Sequence, residues 1–174
     1  MQTFFSGPLL SCYGQAYVQF KNTFDQGQNH WQGQVNGLLG AAVPTILFLT
    51  FGLHTGEVHL TLKVAQEPPP VDNSWEEIVE ASFTLPAQVE LGLRDWDGTL
   101  WQPIPLVAGS YRARYAATNF GVAEALADEH DAQGQPLERY ELTLWSAPKR
   151  PDEILKVTRP EALYWHHFAQ GKIR

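Results

Sequence analysis

A chain of 174 residues is the size of one domain, and its 44% hydrophobic and 18% charged residues exclude intrinsic disorder. Twelve Lys and Arg against nineteen Asp and Glu give a net charge of −7, which excludes a general nucleic-acid binder, because backbone binding needs clustered cations to displace counterions. The single Cys12 excludes a disulfide framework and points to a reducing compartment, and the longest apolar run, 41–49, is interrupted by Pro44 and Thr45 and is too short for a membrane span.

The opening residues, MQTFFSGPLLSCYG, place no basic segment ahead of an apolar one, so the sequence predicts no signal peptide and a cytoplasmic location. Ser11 to Phe20 alternates Tyr13, Gln15, Tyr17 and Gln19 with Cys12, Gly14, Ala16, Val18 and Phe20, the period of a half-buried strand. Thr45 to Leu53 is β-branched and aromatic. It runs through His54-Thr55-Gly56-Glu57 into Val58 to Ala65, which sends Val58, Leu60, Leu62 and Val64 inward, so the pair reads as a hairpin. Gln66 to Pro70 (QEPPP) forces an extended crossover loop.

Ile78 to Leu85 and Gln88 to Arg94 follow as strands separated by Pro86-Ala87, and Asp97-Gly98 marks a turn before a strand over Thr99 to Leu106. Tyr111 to Thr118 sets Tyr111, Ala113, Tyr115 and Ala117 against Arg112, Arg114 and Ala116, and Glu138 to Trp145 is the last clear strand. Phe120 to His130 suits a short acidic helix inside a long loop. Pro160 to Gly171 has Pro in the first turn and Gly at its end, as a helix requires. About eight short strands without long intervening helices predict an all-β, antiparallel β-sandwich of jelly-roll type, with residues 147–174 as a C-terminal helical extension of one domain spanning 1–174.

No pattern for chemistry is complete. His54 and His59 flank a turn, His166 and His167 point apart on a helix, and no HExxH, CxxC or calcium loop is present, so no metal and no cofactor are expected. Cys12 lies among small residues as a buried hydrophobe would, and no nucleophile elbow or phosphate-binding glycine loop occurs. Asp95 and Asp97 around Trp96 offer the two carboxylates of a glycosidase, but Asp in a turn serves backbone hydrogen bonding. The sequence therefore predicts a protein without enzymatic activity.

Six tryptophans supply either core or anchors for a partner. Trp31, Trp75 and Trp96 lie among turn residues and are expected at the surface, whereas Trp101, Trp145 and Trp165 are expected in the core. Residues 1–145 carry a net −10 and residues 146–174 a net +3. A basic tail can dock on its own acidic body. The remaining acids gather beside the surface tryptophans: Glu76, Glu77 and Glu80 near Trp75, Asp95 and Asp97 around Trp96, and Glu124, Asp128, Glu129 and Asp131 in the long loop. Acid with exposed Trp suits a basic protein partner, because opposite charge speeds encounter and aromatic anchors hold the complex.

The strings QVNGLLGAAVP (34–44), LFLTFGLHTG (47–56), WEEIVEAS (75–82), GSYRARY (109–115), YELTLWSAP (140–148) and YWH (164–166) together resemble a widespread family of bacterial β-sandwich-like proteins that brings no established activity. The order of an early Tyr/Phe strand, an NG-x-x-G stretch, a Thr-Gly-x-Val hairpin and a Gly-x-Tyr strand is similar to the competence protein J type of nuclease inhibitor, with an added extension from about Ala147. That resemblance implies an immunity-type inhibitor of a basic toxin or nuclease, and it carries over no inhibitory residue. The partner-binding residues expected from the sequence are Trp75, Glu76, Glu77, Asp95, Trp96, Asp97, Asp128, Glu129 and Asp131. The alternative is a small-ligand or carbohydrate-binding sandwich that stacks its ligand on Trp96 and Trp101.

Overall fold

The computed structural model describes residues 1–20, 29–86 and 90–173. The predicted turn residue Ala87 and the start of the predicted strand at Gln88 lie outside them. The strands are Gln2–Cys12 (β1), Gln15–Phe20 (β2), Leu39–Gly40 (β3), Ile46–Thr50 (β4), Thr55–Ala65 (β5), Glu77–Leu85 (β6), Leu91–Arg94 (β7), Leu100–Ile104 (β8), Gly109–Thr118 (β9), Arg139–Ser146 (β10) and Glu153–Lys156 (β11). Two helices, Val122–Leu126 (α1) and Pro160–Ala169 (α2), complete the described chain.

The predicted antiparallel sandwich is corrected to a curled, mixed sheet with the order β11-β6-β9-β10-β5-β1-β2-β4-β3, from which β7 and β8 continue beside β2. The reason lies at the β1–β2 turn, where the two strands share a single register pair, Cys12 with Gln15. Beyond it β1 continues along β5, while β2 continues along β4 and β7, so one sheet curls through a shared hairpin. The pairing of β10 with β5 is parallel.

The strand predicted over Ser11 to Phe20 is two strands, broken at Tyr13-Gly14 with φ of 58° and 64°. Two consecutive left-handed residues form the tight turn whose twist matches antiparallel strands. The hairpin predicted across residues 54–57 does not form either. Gly14 N–H donates to the His54 carbonyl at 2.8 Å and Phe51 N–H donates to the Gly14 carbonyl at 2.8 Å. The segment after β4 therefore wraps the β1–β2 turn, and β5 emerges on the far side of β1. The inward set of β5 is as expected: Val58, Leu60 and Leu62 are wholly buried, joined by Tyr140, Leu142 and Leu144 of β10 and by Ala113 and Tyr115 of β9. Each such leucine contributes roughly 1.5–3 kcal/mol by leaving water.

The last 28 residues are more than a helix, because β11 adds a strand along β6. Arg112 shows why the segment docks. Its guanidinium is fully buried and donates to Glu80 Oε2 at 2.8 Å, to the Pro151 carbonyl at 2.7 Å and to Glu153 Oε1 at 2.9 Å. Asp152 accepts the Val35 and Asn36 amides at 2.8 Å, and His166 Nδ1 accepts the Gly37 amide at 3.0 Å. Gly37 is required there: a Cβ on it would stand 2.0 Å from the Trp165 carbonyl oxygen. The tail thus attaches through buried polar contacts more than through its net charge.

Candidate protein-binding face

Four connections meet at one end of the sheet: the β1–β2 turn, residues 51–54 before β5, the β7–β8 turn and the loop that carries α1. Buried chemistry fixes them. Glu138 is wholly buried and accepts the Leu53 amide at 3.1 Å and the Gly121 amide at 3.0 Å, while the Tyr140 hydroxyl donates to it and accepts the Gly52 amide at 2.8 Å. Burial pushes the Glu138 carboxyl above its ordinary range, against the hydrogen bonds that pull it down. Tyr115 stacks on Tyr140 at 5.6 Å and bonds the Thr50 carbonyl at 3.0 Å.

On this frame Tyr13 projects from the turn 59% exposed. A non-glycine residue in the left-handed region costs roughly 1–2 kcal/mol, so a bulky aromatic held there and left in water is an outlier that points to use. Its ring meets Trp96 at 5.0 Å and His54 at 5.3 Å, both edge-on. Trp96 is itself 46% exposed at the tip of the β7–β8 turn. That turn is tied by its own acids: Asp95 accepts the Thr99 amide and the Trp101 indole N–H, each at 2.9 Å, and Asp97 accepts the Thr99 amide at 2.8 Å. Burial, with Asp97 alongside, pushes Asp95 up, while bonding to Asp95 and to Thr99 pulls Asp97 down.

The α1 loop extends the same face. Glu124 accepts the His54 amide at 3.0 Å, and Glu129 accepts the Glu57 amide at 2.7 Å. The Glu57 carboxylate bonds His130 at 3.0 Å, whose amide reaches Asp128 at 3.2 Å. Gly56 makes the contact possible, since a Cβ there would lie 2.4 Å from the Glu129 carboxyl carbon. Two exposed aromatics therefore share this end of the sheet with Asp95 and Asp97, which flank Trp96 in the chain, and with Glu57, Glu124, Asp128 and Glu129, which gather around segment 54–57 behind the His54 ring.

Of the residues picked from sequence, Asp95, Trp96, Asp97, Asp128 and Glu129 come together here. Glu76 and Glu77 take other places. Glu76 accepts the Asn119 amide at 2.7 Å, and Glu77 is fully buried, accepting the Thr158 and Arg159 amides at 3.0 and 2.8 Å. Trp75 and Asp131 line a separate groove. Tyr13, His54 and Glu57 were not picked; the only local signal for Tyr13 is the Tyr-Gly dipeptide of a turn. Trp101, expected in the core, is 40% exposed with its edge on Phe5, whereas Trp145 is buried beneath the Arg114 guanidinium. Among the described residues no group of three His, Cys, Asp or Glu side chains is placed to hold a metal, and no helix is long and apolar enough to cross a membrane.

No protein-family model and no curated protein matches the chain. The curled mixed sheet with its C-terminal helix is similar to solved structures at low sequence identity. One is ComJ of Bacillus subtilis, an inhibitor of the DNA-degrading activity of NucA, at a TM-score of 0.58 and 14% identity, covering 84% of this chain and 98% of that one. Another is described as crocagin biosynthetic gene J, with a TM-score of 0.49, 15% identity and the same coverage, 84% and 98%. At these identities the likeness to ComJ is a likeness of fold.

Proposed function

We propose that this protein is an immunity-type inhibitor that acts in the cytoplasm by binding, without catalysis, a basic nuclease or toxin through its acidic, aromatic end. The observation that carries the reading is the exposed Tyr13–Trp96 pair, on the same end as Asp95, Asp97 and the acids of the α1 loop and on a frame that Glu138 holds from within. Flat, rigid aromatics at the centre of a contact lose little entropy on binding and supply most of the energy of a typical interface. The carboxylates around them steer a cationic cleft into register and raise the association rate. A cleft built to hold nucleic-acid phosphates has the complementary charge, and covering it blocks substrate entry. The ComJ-like fold supports the same reading.

The alternative, a carbohydrate stacked on Trp96 and Trp101, is less favoured, because the two rings take different partners, Tyr13 and Phe5. The test is affinity capture on immobilised protein from the native host, with a Tyr13→Ala/Trp96→Ala variant alongside. A nuclease retained by the wild type and lost by the variant supports the reading. Equal retention on both, or recovery of no basic nuclease or toxin, overturns it.

A further inference from the structure

The opposite, outward faces of β5 and β10 carry a second feature. Parallel pairing sets Arg139 beside His59, Glu141 beside Thr61 and Thr143 beside Lys63, a polar floor of six side chains. The QEPPP crossover and the residues after it form one wall, and two cations clamp it down. Arg114 Nη1 donates to the Pro69 and Pro70 carbonyls at 2.8 and 2.9 Å, and Lys156 Nζ donates to the Asn73 and Trp75 carbonyls at 2.8 and 2.7 Å. Two cavities of about 280 and 350 Å³ lie along this floor and share Trp75 and Glu141 as lining. Together they form a trench with a half-buried indole at its middle and Asp131 at its far rim.

We propose that this trench binds a neutral oligosaccharide, one sugar unit on either side of Trp75. Its charges are already balanced: Lys63 pairs with Glu141, Arg114 pairs with Glu80, and Asp131 lies in the field of Arg139. An anion drawn to Arg139 would also face Asp131 and Glu141, and a cation drawn to Asp72 or Glu141 would also face Lys63 and Arg114. Burial, then Arg139, holds the His59 ring below its ordinary range, so it offers a hydrogen bond and no charge at neutral pH. The Arg139 guanidinium, exposed and without a hydrogen bond among the described residues, supplies donors. Glu141 and Asp131 supply acceptors. Hydroxyls both donate and accept, so a sugar satisfies the two kinds of group at once, and an indole face takes the apolar side of its ring. Cavities of this size suit small ligands, whose pockets start at about 300 Å³.

The experiment is calorimetric titration of the full-length protein with cellotriose, maltotriose and chitotriose, and with ATP and heparin trisaccharide as anionic comparisons. Saturable binding of at least one neutral trisaccharide is expected, weakened roughly tenfold in Trp75→Ala, largely kept in Trp75→Phe and weakened in Arg139→Gln. Arg139 has no bonded partner to lose, so its variant tests the site even if Trp75→Ala misfolds. Binding that survives both variants, tighter binding of the anions, or no saturation by any neutral trisaccharide at concentrations on the order of 10 mM overturns the proposal. The Tyr13→Ala/Trp96→Ala protein keeps its sugar binding, which separates this site from the partner-binding face.

Discussion

Taking the pH from 7 to 5 should cost the native state about 2 kcal/mol through one side chain, His166. The side chain, on α2 itself, is wholly buried, and its Nδ1 accepts the Gly37 amide at 3.0 Å, so the native contact needs the neutral imidazole. Burial, and after it the neighbouring His167, lower its pKa from 6.5 to about 4, with Asp152 pulling the other way. The unfolded chain takes up this proton near 6.5 and the folded chain only near 4, so stability falls as pH falls through that window. The whole gap is worth about 3 kcal/mol at ~1.4 kcal/mol per pH unit. Glu77 and Glu138, both raised by burial, act in the opposite sense and add stability as they take up protons. The His166 contribution is therefore read as a difference. Urea unfolding of wild type and His166→Gln, followed by tryptophan fluorescence, should show the wild type ahead at pH 7 and that lead shrinking by about 2 kcal/mol at pH 5. A lead that is the same at both pH values would refute the assignment of a neutral, acid-sensitive His166.

Three further predictions separate the frame from the face. Tyr13→Gly should leave stability unchanged or raise it by up to about 1 kcal/mol, since glycine relieves the left-handed strain while adding unfolded-state entropy, yet it should weaken partner binding at least tenfold; thermal melts and a binding titration check both halves. Asp95→Asn/Asp97→Asn should slow partner association and flatten its dependence on salt while changing dissociation little, as read by surface plasmon resonance at two ionic strengths. Arg112→Met should cost about 1.5–3 kcal/mol in urea unfolding, because it leaves the buried Glu80 carboxylate with Arg114 as its close partner and releases the Pro151 carbonyl and Glu153.

The parts of the fold that rest on period were legible. Alternation located β5, β6, β9 and β10 within a few residues and chose the buried side of β5, and proline and glycine bracketed α2. Pairing was not legible. A two-residue turn keeps the alternation running through it, so Ser11 to Phe20 read as one strand, and the strand before it, Gln2–Cys12, was not seen. Hydrophobic pattern also fails to say that β5 pairs with β1 and β10 instead of β4, because that is decided by backbone contacts of Gly14 with Phe51 and His54. The site divides in the same way. Acid and Trp in turns pointed to Trp96 and Asp97, which are exposed, and to Asp95, which is half-buried, but a carboxylate's sequence neighbours do not reveal whether it caps a backbone inside the fold, as Glu77 does, or faces water.

Inhibition itself is the property that the acidic, aromatic end should confer. Purified protein titrated into the DNA-degrading activity of native-host extract should abolish one nuclease activity at a fixed stoichiometry, and the Tyr13→Ala/Trp96→Ala protein should not. Nuclease activity that is untouched at every ratio, or inhibited equally by the variant, would contradict it.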